Sequence, residues 1–335
     1  MADSMQVAAY LLTASLVFVI LALVANLVVV TGRTTGQTRG ATKKAGAKRE
    51  ASASVSGGAV ADGNTATKVK TATKTATKTA AKTTGGTGAK GGSGKRGGLP
   101  TGLALYATGF TAVALVLVGV YLVMRSVATG YGPFANQHEF AVSFVFGILL
   151  AYLVAEYFHQ VRALSLAVLP VAAALLVYAM NLDTSIRPLI PALQNNMLLT
   201  LHVGFAMIAY GAAVVSFGAA VLYLIYPYLK SKRLPPRDMF DDLGYKAAAV
   251  TFPLLTVMIA LGALWANTAW GRYWGWDPKE TAALVTWLIY GAYLHARVTR
   301  GWQGNRSAWL LVIGFAAVMF AYFGNHFFGG LHSYV

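Results

Sequence analysis

The sequence predicts an all-α polytopic membrane protein with about eight transmembrane helices. Three observations predict it. The 335 residues are 56% hydrophobic but only 11% charged, against about 25% charged in a soluble domain. The apolar residues gather into eight runs close to the roughly 20 residues that a helix needs to cross a bilayer. In lipid, runs of that length satisfy their own backbone polar groups as helices.

In chain order the runs cover about residues 7–30, 103–124, 140–158, 164–181, 198–226, 247–266, 281–296 and 308–324. No basic residue precedes the first, and it exceeds the 7–15 apolar residues of a signal-peptide core, so it reads as a retained anchor. The others are separated by short polar loops whose charges give an orientation. Arg162 lies between helices 3 and 4. Lys230, Lys232, Arg233, Arg237 and Lys246 lie between helices 5 and 6, and Arg297, Arg300 and Arg306 between helices 7 and 8. With eight spans, all of these fall on one side, the cytoplasmic one. Both termini and the loops at 125–138, 182–197 and 267–280 are then expected outside.

The net charge of +16 is unevenly spread. Residues 31–98 carry 14 Lys and Arg against Glu50 and Asp62, a local +12, and the remainder of the chain carries +4. The predicted organisation is therefore an N-terminal helix at 1–30, a basic low-complexity linker at 31–100 and a seven-helix membrane domain at 101–335. The linker has too few apolar residues to build a core and is expected to be disordered. On the cytoplasmic side it would act as a tether or touch anionic lipid. No aromatic interleaving or nucleic-acid module accompanies its charges, which argues against nucleic acid.

The chain has no cysteine. That excludes disulfides, thiol catalysis, Cys-ligated metal clusters and covalent haem attachment to this chain through Cys-x-x-Cys-His. Any redox or metal chemistry would have to run through His, Met, Tyr or carboxylates, and the chain has six histidines. His138, His202, His326 and His332 fall toward the outer side, and His159 and His295 toward the inner side. His295 stands about 21 Å along its helix, within the membrane, where an ionisable group is a functional candidate or a helix–helix hydrogen-bond partner. Helical spacing does not choose among the four outer histidines.

The loop between helices 6 and 7 is read as residues 265–280. It holds four of the seven tryptophans: Trp265, Trp270, Trp274 and Trp276. Aromatic residues gather at membrane interfaces, but Gly271 and Gly275 among them suggest sharp turns and a platform for a planar apolar ligand. Asp277 before Pro278 forms a helix start, with Glu280 at capping-box spacing.

The run from Trp270 through Gly-Arg-Tyr-Trp274-Gly-Trp276-Asp277-Pro-Lys-Glu280-Thr resembles the tryptophan-rich WWD signature of haem-handling proteins of cytochrome c maturation. The following Trp287-to-Arg297 segment, with His295, resembles the CcsA/ResC branch, called CcsB in some bacteria. His202-Val, Gly330-Leu-His332-Ser-Tyr and Asn136-Gln-His138-Glu139-Phe resemble further positions of that branch. The resemblance spans about residues 125–335 and, loosely, the first two helices, with the WWD region at about 198–335; the insert at 31–98 has no counterpart in it.

The resemblance implies a subunit of a system II holocytochrome c synthase in a bacterial plasma membrane, working with a ResB/Ccs1-type partner. It implies non-covalent b-type haem that is both cofactor and substrate, moved outward and joined by thioether bonds to Cys-x-x-Cys-His of apocytochrome c. His202 and His332 would be axial ligands of the external haem, and His295 a transmembrane ligand paired with a partner histidine. Trp270, Trp274, Trp276 and Asp277 would hold the haem for attachment, and Arg272 or Lys279 could meet its propionates. The alternative is a haem carrier that attaches nothing itself.

Overall fold

The computed structural model describes residues 2–32, 102–186, 188–194, 196–229, 231, 234–324 and 327–332. Nearly all of the basic linker, together with Lys230, Lys232, Arg233 and His326, lies outside these residues. Among the described residues the secondary structure is helical, with no strand. Eight long helices follow one another: α1 (Ala2–Thr31), α2 (Leu103–Thr129), α3 (Gln137–His159), α4 (Ser165–Met180), α5 (Asn196–Ile225), α6 (Arg237–Trp270), α7 (Pro278–Arg300) and α8 (Asn305–Phe323). The predicted fold class is the observed one.

Two elements differ from the apolar runs that announce them. Helix α6 begins at Arg237, well before its apolar stretch, because polar contacts support its first turns. Arg237 stacks 3.9 Å over the Tyr223 ring, Asp241 pairs with Arg297 at 2.6 Å, and Asp242 pairs with Lys246 one turn on. It also runs through Trp265 to Trp270, so those residues are helical, and the connection to α7 shrinks to 271–277. Helix α7 is the second. By length and composition, seven of the eight helices are apolar enough to cross a membrane, and α7 falls short. It carries Lys279 and Glu280 at one end and His295, Arg297 and Arg300 at the other.

Helix α5 occupies the centre, packed against α3, α4, α6 and α8, while α1 lies against α2 and α4. The closest approach is between α3 and α5. A Cβ on Gly211 would run into the Gly147 carbonyl, and one on Gly147 into that of Met207, so small residues bring the two backbones together as in other membrane bundles.

At one end of the bundle, Arg125 of α2 and Glu139 of α3 form an ion pair of 2.8 Å that is almost wholly buried. Arg125 also donates to the Thr184 carbonyl at 2.8 Å. Glu139 accepts from the Ala135 amide at 2.8 Å, while Asn136 caps α3 by accepting from the Glu139 amide. Helix α2, the start of α3 and the loop after α4 are thus locked together. Such a pair is costly to break, because removing one partner strands a buried charge.

Candidate functional site

His202 stands in the second turn of α5 and faces α6. Its Nδ1–H donates to the Met258 carbonyl at 2.8 Å, and because a carbonyl only accepts, the lone pair resides on Nε2. The ring lies over Gly262, one turn beyond Met258. A Cβ at that position would sit 2.7 Å from Cε1 of the imidazole, so only glycine lets the ring reach the α6 backbone. One turn of α6 further on, the Trp265 indole runs parallel to His202 at 6.4 Å between centroids. It is 2% exposed and anchored by donation to the Ala192 carbonyl.

The α6–α7 connection is built around Asp277. Gly271 ends α6 in the left-handed region with φ 72°. The second residue in that region is Trp276, at φ 55°, and not Gly275. At Gly275 the exposed Arg272 side chain folds directly across the backbone. Asp277 Oδ1 accepts from the Lys279 amide at 2.9 Å. Glu280 reaches back to the amides of Asp277 and Gly275, completing the expected capping box. Asp277 does more than cap. Its Oδ2 accepts from the Leu331 amide at 2.6 Å and its Oδ1 from His332 Nδ1 at 2.9 Å.

That contact brings the C-terminal segment to the start of α7 and directs the His332 ring. Burial pushes the Asp277 carboxyl up, but the hydrogen bonds from His332 and from the Lys279 and Leu331 amides outweigh it and hold it at about 2. Burial, with Lys279 nearby, lowers His332 despite its hydrogen bond to Asp277. A neutral imidazole that donates from Nδ1 to a carboxylate carries its lone pair on Nε2. A metal-ligating histidine is commonly oriented by a carboxylate in this way.

Both histidines line one cavity of about 480 Å³. Its walls come from α3, α5, α6, α7 and α8 and from the connection before α7, and they include Phe140, Phe144, Tyr210, Trp265 and Trp274. Trp270 packs edge-on against His332 at 4.9 Å and against Trp265 at 4.8 Å, supporting the site from behind. Trp276 meets Trp274 edge-on at 5.7 Å but is 69% exposed and does not line the cavity. Lys279 does line it, with its ammonium 4.9 Å from the Phe140 ring centroid. Arg272 does not, and is exposed.

The other histidines separate cleanly. His138 spends both ring nitrogens within the protein, Nδ1 on the Ala179 carbonyl and Nε2 on the Tyr121 hydroxyl. His159 turns back to the Ala155 carbonyl of its own helix. His295 is on α7 far from the cavity and is exposed, in line with Val285, Leu288 and Ala292 on one helix face. Three contributors were not singled out in the sequence: Gly262, Trp265 as a cavity wall, and the Arg125–Glu139 lock. The first two share a signal, a glycine and a tryptophan three residues apart in one apolar helix, hence on one face.

The cavity thus joins two imidazoles and one ammonium to largely apolar and aromatic walls. The profile of the family described as cytochrome C assembly protein matches residues 106–332. Relatives named cytochrome c biogenesis protein CcsA include one from Guillardia theta, 35% identical over 254 residues, covering 68% of this chain and 84% of the relative. One from Gloeobacter violaceus is 34% identical over 289 residues, covering 68% and 85%. One from Synechococcus elongatus is 34% identical over 287 residues, covering 70% and 88%. With its apolar helix bundle and a profile match that takes in both cavity histidines, the chain belongs to the cytochrome c assembly protein family.

Proposed function

We propose that this chain serves cytochrome c maturation as a subunit of a holocytochrome c synthase, holding haem as cargo in the cavity between His202 and His332. One observation carries the reading: two histidines from distant parts of the sequence line one aromatic cavity, each with Nδ1 tied to a protein acceptor. The residues fit haem. A volume of about 480 Å³ lies within the roughly 300–1,000 Å³ of small-molecule sites. Imidazole nitrogen is an axial ligand of haem iron, and the walls are apolar and aromatic.

The chain's own residues bind, orient and shield. Met258 and Asp277 set the two rings, Gly262 makes room for one of them, and Trp265, Trp274 and Phe140 exclude water. Attachment adds each cysteine S–H of the apocytochrome Cys-x-x-Cys-His across a haem vinyl C=C, so no atom leaves. Proximity is the main contribution a binding site makes to such an addition. Release would follow when the substrate's own histidine replaces one of the two ligands. The missing cysteines accord with this role, since the thiols belong to the substrate.

With α7 crossing despite its polar ends, the short-loop charges support an orientation in a bacterial plasma membrane with both termini and the α6–α7 connection outside and the basic linker in the cytoplasm. His295, an imidazole exposed on the same face of α7 as Val285, Leu288 and Ala292, supports contact with a histidine-bearing helix of a ResB/Ccs1-type partner, where a haem would cross.

Maturation of a reporter tests the proposal. The chain is co-expressed with a ResB-type partner and a Cys-x-x-Cys-His apoprotein in a strain lacking its own maturation genes. Covalent haem on the reporter is expected, and its loss in His202→Ala and His332→Ala. Haem retained on this chain with no reporter matured would instead identify a carrier.

A further inference from the structure

We propose that Lys279 is the cavity's anion site and receives a propionate carboxylate of the haem. This rests on the haem reading above and adds a residue that selects the acidic edge of the ligand.

Lys279 is the second residue of α7, and its side chain turns into the cavity over the Phe140 ring. Two carboxylates stand nearby, and both are committed elsewhere. Asp277 is taken by the Lys279 and Leu331 amides and by His332. Glu280 is taken by the amides of Gly275 and Asp277. Among the described residues, the Lys279 ammonium makes no ion pair and donates no hydrogen bond to a side chain or carbonyl.

The Phe140 ring meets the ammonium only in part, and burial without an anionic partner lowers its pKa to about 8; a carboxylate entering the cavity is the group that matches it. The N-terminus of α7 adds a partial positive charge of the same sign. Arg272, the other cation of this segment, lies across Gly275 and is exposed. The two cations that the sequence left equivalent are therefore separated by their surroundings. An uncharged apolar ligand would gain nothing from Lys279, whereas an iron porphyrin with free carboxylates would.

The test compares haem with its propionate dimethyl ester, titrated into the purified full-length protein and followed by the Soret band. Wild type should bind haem roughly 10–100-fold more tightly than the ester, the range for a charged hydrogen bond. Lys279→Gln should abolish that preference by weakening haem alone, leaving ester affinity and its bis-imidazole spectrum unchanged. Lys279→Arg should restore most of the preference. A preference that survives Lys279→Gln, an equal loss for both ligands, or a wild type blind to esterification would overturn the assignment while leaving the histidine ligands intact. Absence of a bis-imidazole spectrum with either ligand in wild type would sink the haem reading and this inference with it.

Discussion

Three donors meet on the Asp277 carboxylate: the Lys279 amide, the Leu331 amide and the His332 ring. One side chain thus starts α7, holds the C-terminal segment and directs an imidazole. Because its pKa is held at about 2, it stays ionised throughout the physiological range, and His332 keeps its acceptor. Replacing it tests how these roles combine. Asp277→Ala should cost about 1 kcal/mol of stability for the lost cap and weaken haem binding roughly 10–100-fold, the usual effect of losing the partner of a metal-bound histidine. Asp277→Asn should recover the melting temperature, since Asn also caps, but recover affinity only in part. Thermal melts and haem titrations on the two variants separate the roles. Full affinity in Asp277→Ala would show that His332 needs no orientation from this residue.

At the scale of the element, α7 carries two faces with different tasks. One packs Tyr290 and Tyr293 into the core. The other exposes Val285, Leu288, Ala292 and His295, positions separated by three and four residues alternately, the spacing with which one helix packs along another. If that face receives the partner, Ala292→Trp should reduce recovery of the co-expressed ResB-type protein roughly tenfold, since overpacking costs about 1–3 kcal/mol. The same change at Val250, exposed on α6, should leave it unchanged. Equal recovery with both variants would remove α7 from the interface.

Much of this architecture was legible in the chain. The apolar runs announce α1, α2, α5 and α8 directly, because a bilayer demands continuous hydrophobicity. The ends of α6 were not legible. Its first turns rest on tertiary polar contacts such as Asp241 with Arg297, which no apolar run can signal. Its last turn is aromatic, and an interfacial tryptophan reads alike in a helix or a loop. The site divides in the same way. Asp277 and Glu280 showed their capping spacing, whereas which histidines line the cavity, His202 and His332 but not His138, depends on which ring the packing turns toward it. That is a property of packing and not of spacing.

The sequence divides into a near-neutral helix bundle and a strongly basic linker, and the cavity lies in the bundle. The cavity draws its walls from most of that bundle and is completed only when the C-terminal segment returns to the start of α7. His202 and His332 therefore come to line one cavity through the fold alone. The most direct test is the absorption spectrum of the purified protein with bound haem, recorded for wild type, His202→Ala, His332→Ala and, as a control, His138→Ala. The structure predicts a bis-imidazole Soret and α-band pattern in wild type and in the His138 variant, and its loss in each of the other two. An unchanged spectrum in both His202→Ala and His332→Ala would contradict the assignment of these residues as the haem ligands.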